Sequence, residues 1–213
     1  MIKGIIFDMD GVLVDTESFY QQRREEFLRQ MDFSSPVHTD FTGSNERFIW
    51  ETLVPGDPEF RQEMLMGYRA YRRLHPIPYG ELLNPQMPDV FARLKQEGIK
   101  IGIASSSAQD AVRQMAETAG VTSFVDHIIS GEDCAAHKPD PEIYLRAMDA
   151  LNLTPENAFA VEDSPTGITA ARRAGLSVYA LRPASGIKLD QSAATAVIDQ
   201  LTDVLKYIAC GSR

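Results

Sequence analysis

From residue 92 onward, short apolar runs alternate with segments of helical periodicity. This alternation is typical of a parallel sheet flanked by helices, because parallel strands need a crossover connection between them. The predicted strands are short and apolar, as strands covered on both faces are: 5–9, 99–104, 125–129, 158–162, 178–181 and 196–198. Predicted helices between them include 108–119 and 141–151, the latter with Asp140 at its N-cap. The pattern predicts an α/β fold.

Residues 15–82 interrupt this alternation and contain no convincing strand. Apolar and aromatic residues recur there at helical spacing, for example Phe60, Met64 and Tyr68. We therefore predict a small all-helical domain, 15–82, inserted into a core formed by 1–14 and 83–213. The insert contains eight arginines and no lysine. We expect most of them to be solvated and one or two to meet a substrate.

The charge balance limits the partners of the chain. It has 30 acidic residues against 21 Lys and Arg, a formal net charge of -9. This negative electrostatic field repels nucleic acid and anionic membranes, so we expect neither as a partner, and an anionic substrate needs a locally positive site.

Two cysteines without motif spacing, and no apolar run of membrane-spanning length, favour a cytoplasmic protein. We further expect a monomer.

Two carboxyl groups directly follow the first predicted strand. Asp8 and Asp10 are separated by one residue, and Gly11 comes next. Open α/β sheets bind ligands where strands end, and one carboxylate there can contact a metal and a substrate while its neighbour transfers protons. By themselves, two acids at a strand end are solvated loop residues about half the time.

A second acidic pair, Glu162 and Asp163, ends the predicted strand 158–162. The helix that follows has small residues on one face, Gly167 among them, which allow close packing on the sheet. Carboxylates from two strand ends can together hold Mg²⁺, which prefers hard oxygen ligands. Alone, this pair would be better explained as a capping Asp163 beside a solvated Glu162.

Hydroxyl and cationic groups complete the pattern. Ser105, Ser106 and Ser107 follow the predicted strand 99–104, and Lys138 lies in a turn with two prolines. Serine hydroxyls and backbone N–H groups at a helix start can hold phosphoryl oxygens, and a lysine neutralises their charge. Alone, a serine triplet is more often a helix cap, and Lys-Pro is usually a turn.

Taken together and in this order, these segments resemble the haloacid dehalogenase superfamily, in particular its phosphatase and β-phosphoglucomutase-like branch. The resemblance covers nearly the whole chain. It is carried by four motifs, in order Asp8-Met9-Asp10-Gly11, Ser105, Lys138, and Glu162-Asp163 with Ser164 and Gly167. It implies a Rossmann-like catalytic core, and it makes residues 15–82 a helical cap joined to that core by two hinges.

The resemblance also implies catalytic roles. Asp8 would be the nucleophile that forms an aspartyl-phosphate, and Asp10 would be the general acid and base. Ser105 and Lys138 would hold the transferring phosphoryl group, with Ser106 beside them as a further substrate-binding candidate. Lys138 would also orient Asp8.

The same resemblance implies a Mg²⁺ cofactor. Its ligands would be the side chains of Asp8 and Asp163 and the backbone carbonyl of Asp10. Glu162 would be either a further ligand or a group just outside the coordination sphere. Asp10 itself favours phosphate-ester chemistry, because superfamily branches that dehalogenate, cleave phosphonates or pump ions lack an acid–base Asp at this position.

Three positions depart from the β-phosphoglucomutase pattern. A substrate-contacting arginine of those mutases follows a cap glycine by three positions, but Gly43 is followed at that distance by Glu46, and Arg47 comes one residue late. Tyr20 stands where those mutases carry a histidine, and Ala108 where a lysine is common. Arg47 is kept as a candidate substrate-binding residue.

These features predict a Mg²⁺-dependent phosphatase acting on a small phosphorylated metabolite, with a sugar phosphate as the expected class. A β-phosphoglucomutase-type phosphosugar mutase is the alternative. A non-catalytic binding module is a distant third, because it conflicts with an intact set of catalytic groups.

Overall fold

The computed structural model describes residues 1–37, 41, 46–184, 186 and 188–209. The chain divides into two compact units. The first comprises residues 1–15 and those from 79 onward, and the second comprises the described part of Thr16–Pro78. Among the helices in these ranges, none combines the length and the apolar character that crossing a lipid bilayer requires.

In chain order, the main elements are β1 (Gly4–Phe7), α1 (Glu17–Gln30), α2 (Glu46–Leu53), α3 (Pro58–Leu74), α4 (Tyr79–Leu82), α5 (Met87–Gln96), β2 (Lys100–Ser105), α6 (Gln109–Thr118), β3 (His127–Ser130), α7 (Glu142–Leu151), β4 (Ala158–Glu162), α8 (Pro165–Arg173), β5 (Ser177–Leu181), β6 (Ala196–Ile198) and α9 (Val204–Ala209). Short 3-10 turns occupy Thr122–Phe124, Gly131–Asp133 and Leu201–Asp203.

All six strands form one sheet in the order β3-β2-β1-β4-β5-β6, and every neighbouring pair is parallel. The observed strands differ from the predicted ones by at most two residues at either end. This confirms the predicted α/β class with a parallel sheet flanked by helices. The central strand β1 lies between β2 and β4, with Phe7 opposite Ile103 and Val161.

The two faces of the sheet are covered by different helices. Ile6 and Ala160 belong to a buried cluster with Tyr144 of α7 and Ile168 of α8. The next side chain on β1, Phe7, points to the other face, where its ring centroid lies 5.1 Å from that of Phe91 on α5. Burial on both faces explains why the strands are continuous apolar runs.

The two helices predicted at 108–119 and 141–151 both start one residue late. Helix α6 begins at Gln109 rather than at Ala108. Helix α7 begins at Glu142 rather than at Pro141. The side chain of Asp140 still satisfies a backbone donor of the first turn, because its Oδ1 accepts from the Glu142 N–H at 3.0 Å.

The boundaries of the first unit lie at Asp15 and Tyr79, whereas the sequence predicts an insert over 15–82. The difference arises because the outgoing and returning chain segments pair with each other. The N–H of Asp15 donates to the carbonyl of Leu82 at 2.8 Å, and that of Asn84 donates to Leu13 at 2.8 Å. Helix α4 therefore groups with the sheet.

The second unit contains α1, α2 and α3. Its buried centre is aromatic, with the ring of Tyr68 at 5.5 Å from Phe27 and 5.3 Å from Trp50. Asp57 caps α3 by accepting from the backbone of Glu59 at 2.9 Å. This unit therefore has a hydrophobic core of its own.

Candidate active site

The nucleophile candidate lies at the carboxyl end of the central strand. Asp8 directly follows β1, and its N–H donates to the Val161 carbonyl at 2.9 Å, which continues the pairing with β4. The chain then turns at Gly11, whose φ of 81° favours glycine. A Cβ at Gly11 would also overlap the carboxylate of Asp163. Glycine is therefore needed at this position both for the turn and for the approach of Asp163.

Lys138 is buried against Asp8 and Glu162. Its Nζ lies 2.6 Å from Asp8 Oδ1 and 2.6 Å from Glu162 Oε1, and it also donates to the Ala104 carbonyl at 3.1 Å. The side chain of Lys138 is only 7% exposed. The structure thus brings together the end of β1, the end of β4 and the loop before α7.

Burial and charge act in opposite directions on this pair. Burial raises the pKa of Asp8 well above its ordinary value, although Lys138 opposes this effect. Burial lowers the pKa of Lys138, but the charges of Asp8 and Glu162 more than offset it, so the Lys138 pKa lies well above its usual range. Lys138 is therefore held as an ammonium ion, whereas burial disfavours the carboxylate form of Asp8.

Glu162 is fully buried and densely hydrogen-bonded. Its Oε1 accepts from Lys138 and from the Tyr144 hydroxyl, both at 2.6 Å. Its Oε2 accepts from the N–H groups of Asp163 and Ser164 at 3.2 and 3.4 Å and from the Ser164 hydroxyl at 3.3 Å. A Cβ at Gly167 would overlap this carboxylate. Glu162 is thus anchored by Lys138, by Tyr144 and by the two residues that lead into α8.

Asp8, Glu162 and Asp163 form a cluster that could hold a metal ion, because ligand oxygens of all three lie within 4.8 Å of one another. All three are buried, Asp163 with 3% exposure. Three buried carboxylates with one ammonium among them favour a further cation. The oxygen ligands suit a hard divalent ion.

Asp10 is half-buried and lies beside the serine triplet. The Ser107 hydroxyl donates to Asp10 Oδ2 at 2.8 Å. Ser107 is itself held, because its carbonyl accepts from the buried Ser130 hydroxyl at 2.8 Å. The Asp10 carboxyl group is therefore connected to the end of β2.

The other two serines differ from each other in exposure. Ser105 ends β2 and is fully buried, and its Oγ accepts from the Ser107 N–H at 3.0 Å. Ser106 is exposed. In the structure Ser105 shapes the turn that carries Ser107, while Ser106 faces solvent.

Arg47 belongs to the second unit, on α2. Its guanidinium pairs with Glu51 at 2.8 Å, and its side chain is 84% exposed. Gly43, Ser44 and Asn45, which carry the comparison with the mutase pattern, lie outside the described residues.

The sequence reasoning missed three residues of this site. Ser107 holds Asp10, Tyr144 holds Glu162, and Gln191 donates to the backbone carbonyl of Asp163 at 2.8 Å. The sequence does indicate Ser107 indirectly, because it belongs to the serine triplet that follows a predicted strand. Helical periodicity marks Tyr144 only as a buried position, and no motif points to Gln191.

A family model described as "Haloacid dehalogenase-like hydrolase" matches residues 5–181. The chain belongs to this family. This confirms the predicted resemblance and the prediction of an enzyme of the hydrolase class.

Several relatives align with most of the chain. A phosphorylated carbohydrates phosphatase of Thermotoga maritima is 29% identical over 222 residues, which span 97% of this chain and 100% of the relative. A beta-phosphoglucomutase of Bacillus subtilis is 32% identical over 185 residues, 82% and 81% of the two chains. The crystal structure of a beta-phosphoglucomutase from Clostridium difficile aligns with a TM-score of 0.76 at 23% identity, covering 98% and 96%, which shows a shared fold.

Proposed function

We propose that this hydrolase is a Mg²⁺-dependent phosphatase that releases phosphate from a small phosphorylated metabolite, with a sugar phosphate as the substrate class. The observation that carries the proposal is the Asp8 carboxylate, which Lys138 holds at 2.6 Å beside the acidic end of β4. The name of the Thermotoga maritima relative, a phosphatase of phosphorylated carbohydrates, supports the substrate class.

The residues fit a Mg²⁺ ion. Burial raises the pKa of Asp8 and Lys138 opposes this shift, so a cation beside Asp8 would further favour its carboxylate form. Asp8 and Asp163 would hold the ion with the backbone carbonyl of Asp10. Glu162 accepts five hydrogen bonds already, so we assign it the role of anchoring Lys138 rather than binding the metal directly. When bound, Mg²⁺ supplies positive charge that offsets the repulsion between these carboxylates and a phosphate dianion.

The chemistry follows from the positions of Asp8 and Asp10. A carboxylate oxygen of Asp8 attacks phosphorus, the bond between phosphorus and the ester oxygen breaks, and Asp10 gives its proton to the departing alcohol. Water then attacks the phosphorus of the aspartyl-phosphate, Asp10 takes a proton from that water, and Asp8 leaves as a carboxylate. Lys138 holds Asp8 in place and balances charge on the phosphoryl oxygens, with the turn at Ser105 and Ser106 supplying further donors.

A phosphosugar mutase is the second candidate, and the Bacillus subtilis relative favours it. Such an enzyme returns the phosphoryl group to a sugar intermediate and so needs a second anion site, for which Arg47 is the candidate from the sequence. Against it stand Glu46, Tyr20 and Ala108, which replace residues of the mutase pattern. A non-catalytic binding module does not explain why Asp8, Asp10 and Lys138 are all present.

The test compares the two reactions in one preparation. Hexose phosphates are supplied with Mg²⁺, and released phosphate is measured beside interconversion of β-glucose 1-phosphate and glucose 6-phosphate primed with the bisphosphate. We expect phosphate release to be the faster reaction. Isomerisation that greatly outruns phosphate release would replace the phosphatase with the mutase.

We propose that the enzyme acts as a monomer in the cytoplasm, without nucleic-acid or membrane partners, in keeping with its net charge of -9.

A further inference from the structure

Tyr144 is a buried phenol in a position where packing alone requires only an aromatic ring. It lies on α7 with no exposed surface, within the apolar cluster that includes Ile143 and Ala147. Burying a hydroxyl is costly unless it forms a hydrogen bond. The Tyr144 hydroxyl forms one of the shortest in the site, to Glu162 Oε1 at 2.6 Å.

Lys138 has fewer N–H groups than nearby acceptors. Its three N–H groups face Asp8 and Glu162 at 2.6 Å, the Ala104 carbonyl at 3.1 Å and the Tyr144 oxygen at 3.3 Å. A phosphoryl oxygen that approaches Lys138 must therefore replace one of these acceptors.

The three nearer acceptors already match the three N–H groups of Lys138, and the Tyr144 oxygen at 3.3 Å is a longer fourth contact. Among the three nearer acceptors, Glu162 can lose the lysine at the lowest cost. Asp8 must stay in place as the nucleophile, and Ala104 is fixed within β2. Glu162 Oε1 instead has a second donor, the Tyr144 hydroxyl. If Lys138 turns one N–H away, this oxygen remains hydrogen-bonded rather than buried without a partner.

We propose that Tyr144 is a positioning residue for phosphoryl transfer: its hydroxyl holds Glu162 while Lys138 redirects an N–H group to the phosphoryl oxygen. The inference rests on the proposed function, because it assumes that Lys138 contacts the phosphoryl group. The Tyr144 ring supports the same ammonium ion, since Lys138 Nζ lies 5.0 Å from the ring centroid.

Tyr144→Phe tests this, because it keeps the ring and removes only the hydroxyl. Tyr207→Phe is the matched control, since the half-buried Tyr207 lies on α9 and its ring stacks on Tyr179 of β5. Titration calorimetry measures the affinities for Mg²⁺ and for inorganic phosphate in the presence of Mg²⁺, and kcat/KM is measured with an aryl phosphate.

In Tyr144→Phe we expect phosphate affinity and kcat/KM each to fall about tenfold, the effect of losing a hydrogen bond to a charged group, with Mg²⁺ affinity within about twofold of wild type. In a Glu162→Gln background the same substitution should have little further effect on phosphate affinity, because the hydroxyl acts through Glu162. Tyr207→Phe should match wild type in every measurement.

A lower unfolding temperature with unchanged phosphate affinity and kcat/KM would show that Tyr144 only fills the core, and would overturn the proposal. Weakened Mg²⁺ and phosphate binding in equal measure would also overturn it, because the whole site would then have shifted. A wild-type protein that binds phosphate but releases none from any substrate would refute the proposed function alone. The phosphate titrations would still decide the role of Tyr144.

Discussion

The ammonium nitrogen of Lys138 lies 2.6 Å from Oδ1 of Asp8, although 130 positions separate the two residues in the chain. The contact exists because β1 is the neighbour of both β2 and β4, and the loop that carries Lys138 leads into the helix between β3 and β4. The carboxyl edge of the sheet thus collects the chemistry of distant segments.

Lys138→Met should destabilise the protein as well as inactivate it. The substitution leaves the buried carboxylates of Asp8 and Glu162 without their counterion, and breaking a buried pair in this way costs about 3–5 kcal/mol. Urea unfolding without added Mg²⁺ measures the loss. The double variant Lys138→Met with Glu162→Gln should recover part of the stability and none of the activity. A single variant as stable as wild type would mean that the pair does not hold this site together.

Gly167→Ala should disturb the anchor of Glu162. A methyl group there would overlap the Glu162 carboxylate, which must shift at a cost of about 1–3 kcal/mol. We expect lower kcat/KM and a lower unfolding temperature. Gly80→Ala in α4 is the matched control, since its methyl would meet only Thr118 at 3.9 Å. If the two variants had the same kcat/KM and the same unfolding temperature, the anchoring of Glu162 would not depend on the close approach of Gly167 to its carboxylate.

Mg²⁺ should stabilise the folded protein and be essential for turnover. The ion relieves the repulsion among Asp8, Asp163 and their neighbours, and at a hundredfold excess over its Kd it adds about 2.7 kcal/mol. Thermal unfolding in the presence of Mg²⁺ or of EDTA measures the stabilisation. Phosphate release under the same two conditions measures the turnover. Asp163→Asn should reduce both the stabilisation by Mg²⁺ and the Mg²⁺-dependent turnover. Full turnover in EDTA would exclude the metal-dependent chemistry proposed for this site.

Arg47→Gln tests whether Arg47 contributes to substrate binding. If Arg47 contacts the sugar phosphate, its loss raises KM for hexose phosphates severalfold and leaves KM for a small aryl phosphate unchanged. Arg29→Gln is the control, because Arg29 is an exposed helix arginine with a similar acidic partner, Glu26 at 3.6 Å. The same KM values in both variants would leave Arg47 as a solvated side chain paired with Glu51.

The strands and the acidic strand ends could be predicted from the sequence because both depend on local pattern. A buried strand needs an apolar run, and residues that follow parallel strands meet at one edge. The sequence therefore predicts that Asp8 and Asp163 contribute to one site, and the family resemblance adds Lys138. The positions of β1 to β6 follow from the same periodicity.

The partners of these groups could not be predicted in the same way. Periodicity marks Tyr144 as buried but does not indicate that its hydroxyl reaches Glu162. The anchoring of Glu162 depends on the register of α8 against β4, which only the folded backbone defines. The role of Arg47 depends on contacts with a substrate, and so it stays a prediction.

The most direct test of the central claim is to trap the phosphoryl group on Asp8. The protein is mixed with Mg²⁺ and a sugar phosphate labelled at phosphorus, quenched in acid during turnover and digested. We expect label on the peptide that contains Asp8, released by hydroxylamine as an acyl phosphate is. It should be absent from Asp8→Asn, whose turnover should fall at least about a thousandfold. Label on another residue, or rapid turnover by Asp8→Asn, would contradict the account.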